Sequence, residues 1–174
     1  MIAVVTTDLR SAVLEAADRP GVVDAVGGLY ADVQRAIDQR RPVCIVSGRC
    51  CRFEEFGHRL YVTTLELAAF MADLRRAEAE GKADSGKLMS AWDGTGCPFQ
   101  VAKLCTAHAF RPFGCRIYFC DATSTDWQHE QYEAFHTRLK AMHEAMGVPY
   151  FYVEWRAALQ ALLPVPSPGT PGEG

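Results

Sequence analysis

The sequence contains no apolar run that approaches the roughly 18–20 residues a membrane helix needs, so we expect no membrane span. Its first ten residues show no basic segment followed by an apolar core, so no secretory signal peptide is expected. With 18 basic and 21 acidic residues, the net charge is only −3, which argues against a general nucleic-acid binder. We therefore expect a cytoplasmic protein with no membrane and no nucleic-acid partner.

Common catalytic signatures are also missing. The chain has no glycine-rich phosphate loop, no GxGxxG fingerprint and no Ser-His-Asp order. What it does have is a 49% apolar composition over 174 residues, enough for one domain with a sizeable core. We expect residues 1–163 to form this domain. The Pro- and Gly-rich residues 164–174 are predicted to be a disordered tail because they cannot build a core.

Hydrophobic periodicity and turn signals predict an α+β fold that is mostly helical with short strands. We expect its irregular cysteine-rich loops to be organised around a metal site. The Thr63–Glu66 segment has a capping-box pattern, and Ser124 and Gly147 are typical helix-boundary residues. The predicted helices are 11–17, 21–40, 64–80, 124–146 and 154–163, the predicted strands are 60–62, 99–104, 117–119 and 150–153, and 81–96 is predicted to be a loop.

Seven cysteines are the unusual feature of the composition. They fall in two segments: Cys44, Cys50 and Cys51 in the first, and Cys97, Cys105, Cys115 and Cys120 in the second. An odd count in a chain expected to be cytoplasmic argues against a disulfide framework. Clustered thiols instead favour metal binding, with inert buried thiols and thiol redox chemistry as the alternatives.

The two cysteine segments are more basic than the rest of the chain. Residues 41–59 carry four arginines and two glutamates, a net of +2, and residues 97–120 carry three basic residues and no acid, a net of +3. Positive charge favours thiolates, which are the form that binds metals. It would also offset the −2 charge of a divalent ion held by four thiolates.

The cysteine spacing leaves the metal open among zinc, iron and an iron–sulfur cluster. Only the gap from Cys115 to Cys120 fits the close pairs of structural zinc sites. The Cys97-Pro98 step is similar to one found in some iron–sulfur loops. Adjacent Cys50 and Cys51 would need an unusual turn to bind one ion, so they could serve different metals, or one could stand outside the coordination sphere. Soft ligands argue against magnesium or calcium.

Three stretches together resemble the YkgJ-like cysteine-cluster family, over roughly residues 42–120. They are Cys44-Ile-Val-Ser-Gly-Arg-Cys50-Cys51-Arg52, Cys97-Pro98-Phe99 followed by Cys105, and Arg111-Pro112-Phe113-Gly114-Cys115-Arg116. The resemblance implies a zinc- or iron-chelating domain without a defined biochemical role. The family often has one more cysteine in its first group, where this chain has Ser47. Either that position is not a ligand, or Cys120 replaces it, or one of two sites is incomplete.

Histidines offer few further ligands. His129, His136 and His143 lie seven residues apart on one predicted helix, too far apart to chelate one ion, and a solvated polar face is expected. His108 differs because it lies three residues after Cys105, where it could complete a Cys3His site.

The sequence therefore predicts a metal-binding protein that holds zinc, iron or an iron–sulfur cluster through its clustered cysteines. In its simplest form the metal is structural and ties the two cysteine segments together. One alternative is a redox or group-transfer enzyme acting at an iron–sulfur cluster, which needs an open metal position or a nearby pocket. Another is a metal-handling or partner-binding module with exchangeable metal.

Overall fold

A computed structural model of the protein describes residues 2–163, with side chains from residue 7 onward. The tail predicted at 164–174 lies outside these residues. The described chain is mostly helical, with a few short strands, and forms a small single domain, as the sequence predicted. Every helix within residues 2–163 is too short or too polar to cross a membrane.

The helices and strands alternate irregularly along the chain. The helices are α1 (Ile2–Asp18), α2 (Val22–Arg40), α3 (Phe53–Phe56), α4 (Thr64–Ala79), α5 (Ser85–Ala91), α6 (Phe113–Ile117), α7 (Thr125–Met146) and α8 (Trp155–Leu162). The strands are β1 (Tyr61–Thr63), β2 (Gln100–Val101), β3 (Leu104–Cys105) and β4 (Tyr152–Glu154). Single 3₁₀ turns cover Arg49–Cys51, His108–Phe110 and Ala122–Ser124.

Helix α4 is the centre of the core, because α1 and α2 both pack against it. Strand β1 leads into α4 and pairs antiparallel with β4, with Val62 opposite Val153. This pairing brings α8 under the core, where the ring of Trp155 meets that of Phe70 edge-on at 4.8 Å. Strands β2 and β3 form a separate two-stranded hairpin within the second cysteine segment.

The predicted capping box at the start of α4 is confirmed. Thr63 Oγ1 accepts a hydrogen bond from the Glu66 amide, and the Glu66 carboxylate accepts one from the Thr63 amide at 2.8 Å. The other carboxylate oxygen of Glu66 accepts from the Phe113 amide at 3.0 Å. Glu66 therefore ties α4 to α6, the helix that carries Cys115. Its burial raises the pKa of the carboxyl to about 7.

Helix α7 agrees with its prediction in length and in its end. Gly147 takes the left-handed conformation that closes the helix, with φ +59°. The expected apolar stripe is buried at Phe135 and Leu139, and half-buried Trp127 and Met142 pack against the same cluster. Met146, also half-buried, packs against a neighbouring apolar cluster. Ser124 precedes the helix but does not cap it, because its hydroxyl donates to Asp121 at 2.7 Å instead.

The structure corrects three local predictions. Helix α1 extends well beyond the expected 11–17. The expected loop 81–96 contains α5, which Asp84 caps by accepting from the Lys87 amide at 2.9 Å. The strand predicted at 117–119 is absent, because Ile117 ends α6. Phe113 and Ile117 are four residues apart on that helix and bury their side chains in one apolar cluster.

Replacing Glu66 with Gln tests how this buried carboxyl makes stability depend on pH. Because the folded chain raises this pKa from 4.5 to about 7, the proton stabilises the fold fully below pH 4.5. That stabilisation, about 3 kcal/mol, is lost as the pH rises through 7. The free energy of unfolding of Glu66→Gln, measured by urea titration from pH 4.5 to 8, should depend less on pH than that of the unmodified protein. Parallel pH profiles for the two proteins would contradict this.

Candidate metal centre

Two hydrogen bonds to backbone carbonyls hold the two cysteine segments against each other. The Cys97 amide donates to the Cys51 carbonyl at 2.8 Å, and the side-chain amide of Gln100 donates to the Gly48 carbonyl at 2.8 Å. The first contact needs a glycine beside it. Gly96 has φ +58°, and a Cβ there would lie 2.7 Å from the Cys51 carbonyl oxygen.

Five of the seven predicted thiols come together where these segments meet. Cys51 is buried, and the thiols of Cys50, Cys97 and Cys105 are near enough to raise its pKa. The Cys50 and Cys51 sulfurs are 3.9 Å apart. The 3₁₀ turn Arg49–Cys51 therefore supplies the unusual turn that adjacent cysteines need to approach one another. Cys115, on α6, is close enough to feel the charges of Cys50, Cys97 and Cys105.

The thiols of this cluster differ in their acidity. Hydrogen bonding from Cys51 lowers the pKa of Cys50 to about 6 and that of Cys105 to about 7, and it also lowers the pKa of Cys97. The pKa of Cys51 is raised for the same reason, because it keeps its proton to donate. Burial raises the pKa of Cys115 well above its ordinary value. The cluster thus combines three thiols whose pKa values are lowered with two, Cys51 and Cys115, whose pKa values are raised.

Two further groups stabilise negative charge on the cluster. The indole Nε1 of Trp155 donates to the Cys97 sulfur at 3.3 Å. The positive charge of Arg111 lowers the pKa values of Cys50 and Cys105. Two other arginines of these segments have partners elsewhere: Arg52 pairs with Glu55 at 2.7 Å, and Arg116 donates to backbone carbonyls. The predicted positive charge of the two segments thus lowers thiol pKa values mainly through Arg111.

The remaining two cysteines, Cys44 and Cys120, differ in their surroundings. Cys44 is exposed, and within the described residues it makes no hydrogen bond. The Cys120 sulfur lies 3.3 Å from the Ser47 hydroxyl. Ser47 is therefore next to Cys120.

Histidines contribute little to the thiol cluster. His108 is exposed, and desolvation lowers its pKa. His58, which the sequence did not single out, lies closer: its Nε2 is 3.4 Å from the Cys50 carbonyl and its ring stacks on Tyr118 at 5.1 Å. The sequence predicts a solvated face on α7, and this prediction is wrong for His143. This residue is buried, and its Nδ1 lies 3.1 Å from the Val148 carbonyl.

Trp155 and Gly96 were also missed by the sequence reasoning. Both act through long-range contacts, and no local pattern marks them.

In the part of the chain described, no three or more His, Cys, Asp or Glu side chains form a group already arranged to hold a metal ion. The chain matches no protein-family model, no curated protein and no solved structure.

Replacing Gly96 with Ala tests the contact between the segments. The methyl group would meet the Cys51 carbonyl, and the left-handed backbone adds strain. Gly81→Ala is the matched control, because Gly81 has φ +68° and nothing within 4 Å of the added Cβ. We expect Gly96→Ala to lower the free energy of unfolding by about 1–3 kcal/mol more than the control does. Equal losses in thermal denaturation would show that the close approach is not required.

Replacing Ser47 with Cys tests the contact with Cys120. The new thiol would lie beside Cys120, so mild oxidation should form an intramolecular 47–120 disulfide that closes a long loop and raises the melting temperature. Peptide mapping by mass spectrometry identifies the bond, and Ser47→Cys combined with Cys120→Ala is the control. A disulfide from position 47 to any other cysteine would contradict the observed arrangement.

Proposed function

We propose that the protein binds a metal centre, either zinc, iron or an iron–sulfur cluster, at the five gathered thiols. These are Cys50, Cys51, Cys97, Cys105 and Cys115. The observation that carries the proposal is the meeting of both cysteine segments at Cys51: its sulfur lies 3.9 Å from that of Cys50, its carbonyl accepts from the Cys97 amide, and thiols of both segments raise its pKa. Inert buried cysteines would have no reason to converge from positions more than forty residues apart in the sequence.

The donor set fits a soft metal in its chemistry. Zinc–sulfur bonds of about 2.3 Å in a tetrahedral site set the sulfurs roughly 3.8 Å apart. The 3.9 Å between the Cys50 and Cys51 sulfurs is close to this value. Three of the five thiols have lowered pKa values, which favours their thiolate forms. The thiolate is the form that binds a metal, and metal binding releases the thiol proton. The resemblance of residues 42–120 to a zinc- or iron-chelating family agrees with this donor set.

The surrounding contacts favour a centre that is buried and held by the fold. Trp155 donates to Cys97 from the core, as outer hydrogen-bond donors do around metal thiolates. Arg111 offsets part of the negative charge. A bound zinc ion would cross-link the two segments, and an iron–sulfur cluster would in addition carry electrons. Cys44 and Cys120 remain ligands predicted from the sequence, but the proposed centre already has five thiols without them.

Cysteine variants purified without oxygen test the proposal. Cys51→Ala and Cys105→Ala should each lower the ratio of bound metal to protein by more than about half, because each removes a thiol of the cluster. Cys44→Ala is the matched control and should keep its metal, because Cys44 is exposed and outside the cluster. Elemental analysis gives the ratio, and an absorption spectrum separates colourless zinc from iron and iron–sulfur.

Two results would contradict the proposal. One is an unmodified protein that contains no zinc or iron and takes up neither when it is reduced and supplied with the ions. The other is full metal content in both Cys51→Ala and Cys105→Ala. Circular dichroism of each variant shows whether a loss of metal reflects a lost ligand or an unfolded chain.

A further inference from the structure

A cavity of about 460 Å³ opens beside the thiol cluster, between the first cysteine segment, α6 and α7. This volume is within the range of small-molecule sites. Cys50 and Cys115 belong to its lining and are half-buried, whereas Arg49 and Arg59 also line it and are exposed. The arginines therefore lie at the mouth, and the thiols lie deeper.

The charged groups at the mouth favour an anion. Arg59 makes no hydrogen bond or ion pair among the described residues, and the Arg49 guanidinium lies over the Phe56 ring at 4.7 Å without a carboxylate partner. The single carboxylate in the described lining, Asp121, already accepts from Thr123, Ser124 and Val43. Its oxygens are therefore engaged by donors other than the two arginines. A ligand carboxylate is the group that two unpaired guanidiniums are suited to bind.

The walls of the cavity favour a flat ring. Tyr118 lines it and stacks on His58 at 5.1 Å, and Tyr61 stacks on Tyr152 at 5.3 Å. Such stacked rings offer faces and edges to a further aromatic ring. Leu60 adds an apolar surface, which an ion surrounded by water would not match.

We propose that this cavity binds a small aromatic carboxylate, with its charge at Arg49 and Arg59 and its ring between the tyrosines. The bound ring would lie next to Cys50, at the open side of the thiol cluster. This inference goes beyond the proposed metal centre and does not depend on it, since it is carried by the arginines and the aromatic walls.

Three small-molecule probes separate the contributions of charge and ring. Benzoate has both, benzylamine has the ring with the opposite charge, and acetate has the charge without the ring. In isothermal titration calorimetry of the full chain we expect millimolar binding of benzoate, at least about tenfold tighter than either other probe. Benzylamine binding as tightly as benzoate, or no benzoate binding up to about 20 mM, would overturn the proposal.

Arginine variants show whether the binding takes place in this cavity. Arg59→Gln and Arg49→Gln should each weaken benzoate binding about fivefold or more, because each removes a charge-assisted hydrogen bond. Lys87→Gln is the control, because it removes one positive charge from α5, outside the cavity. Equal affinity in the control and both arginine variants would place any binding elsewhere and overturn the proposal. Metal content, measured on the same samples, reports separately on the metal centre.

Discussion

The hydrogen bond from the Cys97 amide to the Cys51 carbonyl is the contact on which the rest of the site depends. At 2.8 Å it fixes the start of the second cysteine segment against the end of the first. The contact is possible only because Gly96 has no Cβ, which would lie too close to the Cys51 carbonyl oxygen. Glu54 supports it by accepting from the Gly96 amide at 2.9 Å, and this bond lowers the pKa of the Glu54 carboxyl to about 2. The approach of the two cysteine segments thus follows from this backbone contact.

This backbone hydrogen bond holds the Cys51 thiol, which donates, among thiols that accept from it. The carbonyl that accepts from the Cys97 amide belongs to Cys51 itself. The Cys51 sulfur is therefore held where thiols of both segments can reach it. Five neighbouring thiolates would repel one another strongly, and this cost is lower because the raised pKa values of Cys51 and Cys115 keep protons on these two thiols. The proposed divalent ion would supply positive charge in place of those protons.

Much of the fold could be predicted from the sequence, because its signals are local. The capping box at Thr63 and the glycine at 147 mark helix ends by interactions within four residues, and both predictions are confirmed. The strand predicted near 117–119 failed for the opposite reason. Its apolar residues suit a strand, but Phe113 and Ile117 are buried together only if the segment is helical. The tertiary contact decided between two locally acceptable structures.

The site could be predicted as a set of residue types but not as an arrangement. Cysteine spacing identified the two segments, yet it could not tell that Cys50 and Cys51 would share one cluster, because that depends on a 3₁₀ turn. Trp155 lies 58 residues from Cys97 in the sequence and reaches it only because β4 pairs with β1. The same pairing places Tyr61 and Tyr152 together on the wall of the cavity. One pair of three-residue strands therefore brings both a donor to the thiols and an aromatic surface beside them, so a change in this pairing should alter both sites together.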